Sequence, residues 1–157
     1  MNLARRLPVL PDIGLLIGRL ALGAVFVAHG WQKFADNGHA GQTKAFEAMG
    51  IPAPSLSALF ATWVELLGGL ALIIGVLTPV AGVLLALNMA GALWFVHLDK
   101  GLFAADGGYE LVLVLGAGAL LLALAGAGRI SVDGVLFGGG RNASASGRER
   151  EREKVGA

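Results

Sequence analysis

Seven residues carry chemistry in places where side chains are otherwise apolar: Arg19, His29, Lys33, Glu65, Asn88, His97 and Glu110 lie within or at the edges of long hydrophobic runs. A charged or strongly polar group in such a run is costly in lipid, so each is read first as a functional or partnered group. His29, His97 and Glu110 form the set suited to catalysis. Imidazole changes charge near neutral pH, and a carboxyl group beside it can relay a proton. All three fall toward the same end of their runs, so they can meet at one depth. Trp31, Phe34, Phe60, Trp63, Trp94, Phe95, Phe103 and Tyr109 gather at that end too, whereas the opposite ends are built of Leu, Val, Ile, Ala and Gly. An interfacial aromatic belt accounts for Trp31 or Trp94 taken singly, but belts normally occur at both interfaces. The one-sided arrangement points instead to an outward-facing pocket lined by Trp31, Lys33, Trp63, Trp94 and Tyr109.

The residue types narrow what such a pocket could hold. Aromatic walls with a few donors suit a flat, apolar head group such as a quinone, with His29 or His97 hydrogen-bonded to its carbonyl and an acid shuttling protons. A haem held between His29 and His97 is the second candidate. A di-metal centre is not expected, because bundles that build one use a Glu-x-x-His pair that does not occur here. The chain has no cysteine, which removes disulfides, thiolate metal sites and persulfide chemistry on this chain. Arg19 and Glu65 form a separate expectation. Counting about 1.5 Å per residue, Arg19 lies several ångströms deeper than Glu65, a gap two long side chains can bridge. An Arg19–Glu65 ion pair across the first two spans would keep either charge from standing alone in lipid. Asn88 is read as an interhelical hydrogen-bonding residue.

The elements that must position these residues follow from the composition. Of 157 residues, 55% are hydrophobic and 15% charged, an apolar excess over the roughly 45–50% of soluble domains. Four runs, at 13–34, 56–77, 79–98 and 109–127, have the roughly 20 residues a helix needs to cross a bilayer. The reading is an all-α integral membrane four-helix bundle with antiparallel neighbours. Arg19 interrupts the first run, which is also too long for a signal peptide. Arg5, Arg6, Arg129, Arg141, Arg148, Arg150, Arg152 and Lys154 all lie toward the two termini, whereas the loops on the other side hold Lys44 and Lys100 with four acids. By the positive-inside rule both termini are cytoplasmic. Residues 1–12 then form a short cytoplasmic segment, 13–134 the membrane domain and 135–157 a disordered cytoplasmic tail. Between the first two spans, Ala45, Phe46 and Met49, closed by Gly50 and Pro52, predict a short interfacial helix able to act as a lid. Gly14 with Gly18, Gly82 with Ala86 and Ala90, and Ala119 with Ala123 and Ala127 offer small-residue stripes for close helix packing. A formal net charge of +1 argues against a nucleic-acid partner.

The same residues also carry a family pattern. His29-Gly30-Trp31-Gln32-Lys33-Phe34, Gly50-Ile51-Pro52, Glu65-Leu66-Leu67-Gly68-Gly69, His97 near Gly101-Leu102-Phe103, Gly107-Gly108-Tyr109-Glu110 and Gly128-Arg129-Ile130-Ser131-Val132-Asp133 occur in this order. Together with Arg19 they resemble the DoxX family of small bacterial and archaeal membrane proteins over residues 13–134. The resemblance implies a four-helix membrane fold in the cytoplasmic membrane of a prokaryote. For some relatives it also implies a place in quinone-linked sulfur oxidation, or in membrane assemblies with oxidative-stress enzymes. It points to Arg19, His29, Lys33, Glu65, His97, Tyr109 and Glu110. The expected function is therefore a component of a membrane redox system with protein partners. A non-enzymatic scaffold that recruits such enzymes is the alternative, and a small transporter or proton path, which would call for a homo-oligomer, is a third.

Overall fold

The computed structural model describes residues 9–137, and all regular structure among them is helical. The helices are α1 (Leu10–Trp31), α2 (Gly38–Ala48), α3 (Pro54–Ile74), α4 (Thr78–Ala92), α5 (Glu110–Ala125) and α6 (Val132–Phe137). α1 runs on into a π-helical segment at Gln32–Asp36 and α4 into another at Leu93–His97, followed by single 3-10 turns at Leu98–Lys100 and Ala104–Asp106. Proline opens α1, α3 and α4 within their first turns, where its missing N–H leaves no bond unmade. α3 stops at Gly75, which adopts the left-handed conformation (φ 75°) and returns its N–H to the Ala71 carbonyl at 2.8 Å, a common glycine helix end.

The three segments Leu10–Asp36, Pro54–Ile74 and Thr78–Lys100 are long and apolar enough to cross a membrane. α5, the helix of the expected fourth span, has 16 residues, fewer than the roughly 20 of a full crossing. The short helix expected between the first two spans is α2. The bundle is apolar on the outside: Val114, Leu121 and Leu124 on α5 are 65%, 65% and 82% exposed. Its interior is a narrow seam of Phe26, Leu72, Leu85, Met89, Leu115, Ala119 and Leu122. That distribution fits a lipid surround, in which helices associate through close packing of small residues.

Two helix pairs supply that packing. Between α1 and α3, a Cβ at Gly23 would stand 2.7 Å from the Gly69 carbonyl oxygen, so the backbones touch. Between α4 and α5, Gly82 fits against Ala119 and Ala123 in the same manner, joining the small-residue stripes expected on those two spans. The expected stripe on the first span is different. An added Cβ at Gly14 meets nothing within 4 Å, and the close approach is made further along the helix by Gly23 and Gly30.

At the end of the bundle that carries Arg129, residues 127–134 form a strap from the end of α5 to α1 and to the turn between α3 and α4. Asp12 of α1 accepts from the Arg129 backbone N–H and from its Nε, both at 2.8 Å. The buried Arg19 donates through Nη1 to the Ala127 carbonyl and through Nη2 to the Ile130 carbonyl, both at 2.7 Å. Asp133 then accepts from the Leu77 and Thr78 N–H groups at 2.9 and 3.0 Å. It thereby caps the start of α4 from 55 residues away, while its own N–H binds the Gly75 carbonyl. Gly75 has to be glycine here twice over, since a Cβ would also run into the Arg19 guanidinium. α6 carries helical structure to Phe137, and the rest of the expected tail, residues 138–157, lies outside the described residues.

These contacts set the expected cost of substitution. Gly23→Leu or Gly69→Leu should destabilise the protein by about 1–3 kcal/mol or more through overpacking, and Gly14→Leu should stay within about 0.5 kcal/mol, measured by unfolding in mild detergent. Asp133→Ala, which strips the cap from α4, should cost about 1–2 kcal/mol in the same assay.

Candidate functional site

At the other end, which carries His97, the two helix pairs diverge around a cavity of about 720 Å³. α1 contributes Phe26 and His29, and its π-helical extension adds Lys33. Phe46, Met49 and Ile51 come from α2 and the turn after it, and Phe60, Ala61 and Glu65 come from α3. Asn88 and Met89 of α4, His97 of the following π segment and Leu111 and Leu115 of α5 complete the walls. The volume falls within the range of small-molecule sites, as does an apolar lining with a few convergent polar groups.

Glu65 is the centre of the polar set. It is buried, 3% exposed, and its Oε2 receives Lys33 Nζ at 2.5 Å while its Oε1 receives Asn88 Nδ2 at 2.8 Å. Three helices therefore meet on one carboxylate. The bonding satisfies both oxygens and neutralises the charge, which is what a buried ion requires. Higher in the cavity, His97 Nδ1 lies 2.6 Å from the Gly107 carbonyl oxygen. A carbonyl can only accept, so Nδ1 carries the proton, leaving Nε2 as the ring atom for a ligand.

Both π segments occur at this end, and they position the two cationic or titratable groups that follow α1 and α4. In a regular helix the residue seven beyond the buried Met89 is Val96. A π turn accommodates one extra residue, so His97 is swung toward the direction Val96 would have taken, and both line the cavity. Such turns are rare and frequently sit at functional sites. Nothing in residue type or spacing announces them, and the sequence reading missed them.

Several expected positions differ from those observed. Arg19 and Glu65 are not paired, because the Cα–Cβ bond of a helical residue tilts toward the helix N-terminus. α1 and α3 run in opposite directions, so Arg19 leans toward the Arg129 end and Glu65 toward the His97 end. By the same rule Lys33, above Glu65 on α1, leans down onto it. Trp31, Trp63 and Trp94 are 55%, 40% and 67% exposed and are not among the lining residues. Trp31 and Trp63 pack instead on either side of Phe34, with ring centroids 6.0 and 5.5 Å apart, a belt arrangement at the bundle surface. Tyr109 and Glu110 stand outside the cavity as well. Glu110 accepts the Ala104 N–H at 2.7 Å and pins the loop before α5. His29, Lys33 and His97 do line the cavity, joined by Glu65 and by Asn88, which makes the interhelical hydrogen bond expected of it, to Glu65.

The DoxX family model matches residues 14–98, a stretch that holds Lys33, Glu65, Asn88 and His97. The chain belongs to the DoxX family. It is similar to the Bacillus subtilis (strain 168) protein named "Putative oxidoreductase CatD", with 33% identity over 86% of this chain and 96% of that protein. It is also similar to the Escherichia coli (strain K12) "Inner membrane protein YqjF", 36% identical over 81% of this chain and 95% of the relative. A Mycobacterium tuberculosis relative named "Uncharacterized membrane protein Rv3486" is 33% identical over 73% of this chain and 76% of its own length. No solved structure matches the chain. The DoxX relationship and the apolar helices identify a membrane protein of a bacterial type.

The ion pair gives a direct test within this DoxX protein. Lys33→Met alone strands the Glu65 charge and should cost about 3–5 kcal/mol. The double variant Lys33→Met with Glu65→Leu should recover a large part of that loss in a double-mutant cycle read by unfolding in detergent. Losses that simply add would mean the two charges are not coupled.

Proposed function

We propose that this protein is a membrane-embedded component of a redox system whose cavity binds a quinone. The observation that carries the reading is the convergence of Lys33, Glu65, Asn88 and His97 from separate elements on one apolar cavity. A quinone would supply reversible uptake of two electrons and two protons. The donor set fits such a head group: carbonyl oxygens need donors, and the Lys33 and Asn88 side chains provide them between the Phe26, Phe46, Phe60 and Phe95 walls, while the proton-free Nε2 of His97 can accept from a hydroxyl of the reduced quinol. His29 is exposed at the rim of the cavity, a position suited to passing protons between the site and the surrounding water. His97 and Glu65 would hold or move protons within it. The name of the Bacillus subtilis relative supports a redox setting.

The reading extends to topology. α5 serves as the fourth crossing, completing a four-helix bundle with both termini in the cytoplasm. Support comes from the grouping of Arg5, Arg6, Arg129 and the arginines beyond it toward the termini. The His97 end then faces outward, with α2 over the cavity mouth. Protein partners in the same membrane would deliver or remove the electrons, since no cysteine is present to do so on this chain.

Purification in mild detergent, followed by optical and mass-spectrometric inventory of bound small molecules, checks the proposal. The wild-type protein is expected to carry stoichiometric quinone. His97→Ala should weaken binding of the reduced quinol about three- to tenfold, the value of one hydrogen bond. A Soret band lost in His29→Ala and His97→Ala would point to haem instead. Bulk lipid alone, unchanged by either substitution, would overturn the proposal in favour of a membrane scaffold.

A further inference from the structure

We infer that the cavity continues sideways into the bilayer between α3 and α4, and that this opening takes the hydrocarbon tail of a lipid-soluble ligand with an uncharged head. The inference rests on the quinone reading and specifies how that ligand enters.

Three observations carry it. First, some cavity-lining residues are at the same time open to the surroundings: Leu56 and Phe60 on α3 are 67% and 44% exposed, and Leu87 on α4 and Phe95 in its π extension are 60% and 45% exposed. These form the two rims of a cleft, with Gly91 one turn beyond Leu87 on the α4 side. Second, the cleft reaches far below the mouth. Leu87 precedes His97 by about three helical turns, on the order of 15 Å along the axis, which puts its lower end in the hydrocarbon region rather than among lipid head groups. Third, the polar set at its inner edge is electrically balanced, since Lys33 and Glu65 are paired and Asn88 is neutral. A phospholipid would bring an ionic head with no opposite charge to meet it. An uncharged ring that accepts hydrogen bonds suits Asn88, and an alkyl or prenyl chain on it suits the Phe60–Leu87 cleft.

Gly91 makes the opening testable. A Cβ added there meets nothing within 4 Å, so Gly91→Phe can fill the cleft without forcing the helices apart. Leu87→Trp, at a side chain already exposed, is a second plug. The probes are a benzoquinone with a decyl tail and the same ring with a methyl group in place of the tail. Each is titrated against wild type and both variants of the full-length protein in nanodiscs. For each plug, affinity for the decyl quinone should fall at least about tenfold while the methyl quinone stays within about twofold. Equal losses for the two probes would show that the plugs merely shrink the site, and no loss for either would show that nothing passes between α3 and α4. Both results overturn the lateral opening and leave the quinone reading intact. A wild-type protein that binds neither probe overturns both.

Discussion

One carboxylate sets the terms for this bundle. Glu65 is buried in a protein whose outer surface is hydrocarbon, where an unpaired charge would be prohibitive. It has to be met by groups from the chain, and Lys33 and Asn88 meet it from two other helices. Each partner constrains rotation and depth at once: Lys33 fixes α1 against α3, and Asn88 fixes α4 against α3. α1 and α3 stay in backbone contact at this level, where a Cβ on Gly30 would stand 2.5 Å from the Leu66 nitrogen, so the cavity opens to the side of this pair, toward α4 and α5.

The opposite end is solved in another way. There the backbones approach at Gly23 with Gly69 and at Gly82 with Ala119, and the strap of residues 127–134 ties both pairs together through Arg19, Asp12 and Asp133. Hydrogen bonds to charged groups are stronger than neutral ones, so this end is tied by strong bonds. The cover at the His97 end is attached differently. α2 is joined to its neighbours through Gly38 and Gly50, both at positive φ and with open space around them, and its Phe46 reaches the cavity.

Much of this was legible in the residues, and the failures have physical causes. Apolar run length located the helices, because lipid imposes both their length and their composition. Cost in lipid picked out His29, Lys33, Glu65, Asn88 and His97. Partnering failed where depth was counted and direction was not: Arg19 and Glu65 are near enough along the axis, but antiparallel helices point them apart. The strap was hidden because its bonds join residues 55 to 117 positions apart, and all but the Arg129 Nε–Asp12 bond involve a backbone atom, which carries no residue signature. The Trp residues misled for the opposite reason. Aromatic rings serve a lipid interface and a ligand pocket equally well, so their type could not decide which side of a helix they would take.

The π segments show why the site could not be completed from spacing alone. In a regular helix, a face is fixed by counting in steps of 100° from a known buried position, and from Met89 that count selects Val96. The extra residue in the Leu93–His97 turn advances the count by one and brings His97 toward the interior. That arrangement leaves regular backbone hydrogen bonding disturbed close to a loop, where Gly107 then offers its carbonyl to the same imidazole. One distortion thus delivers the ring to the cavity, and the loop fixes its tautomer. Helix irregularity and ligand chemistry are joined at a single residue. The Glu65 network could tolerate a regular α4, but the placement of His97 could not.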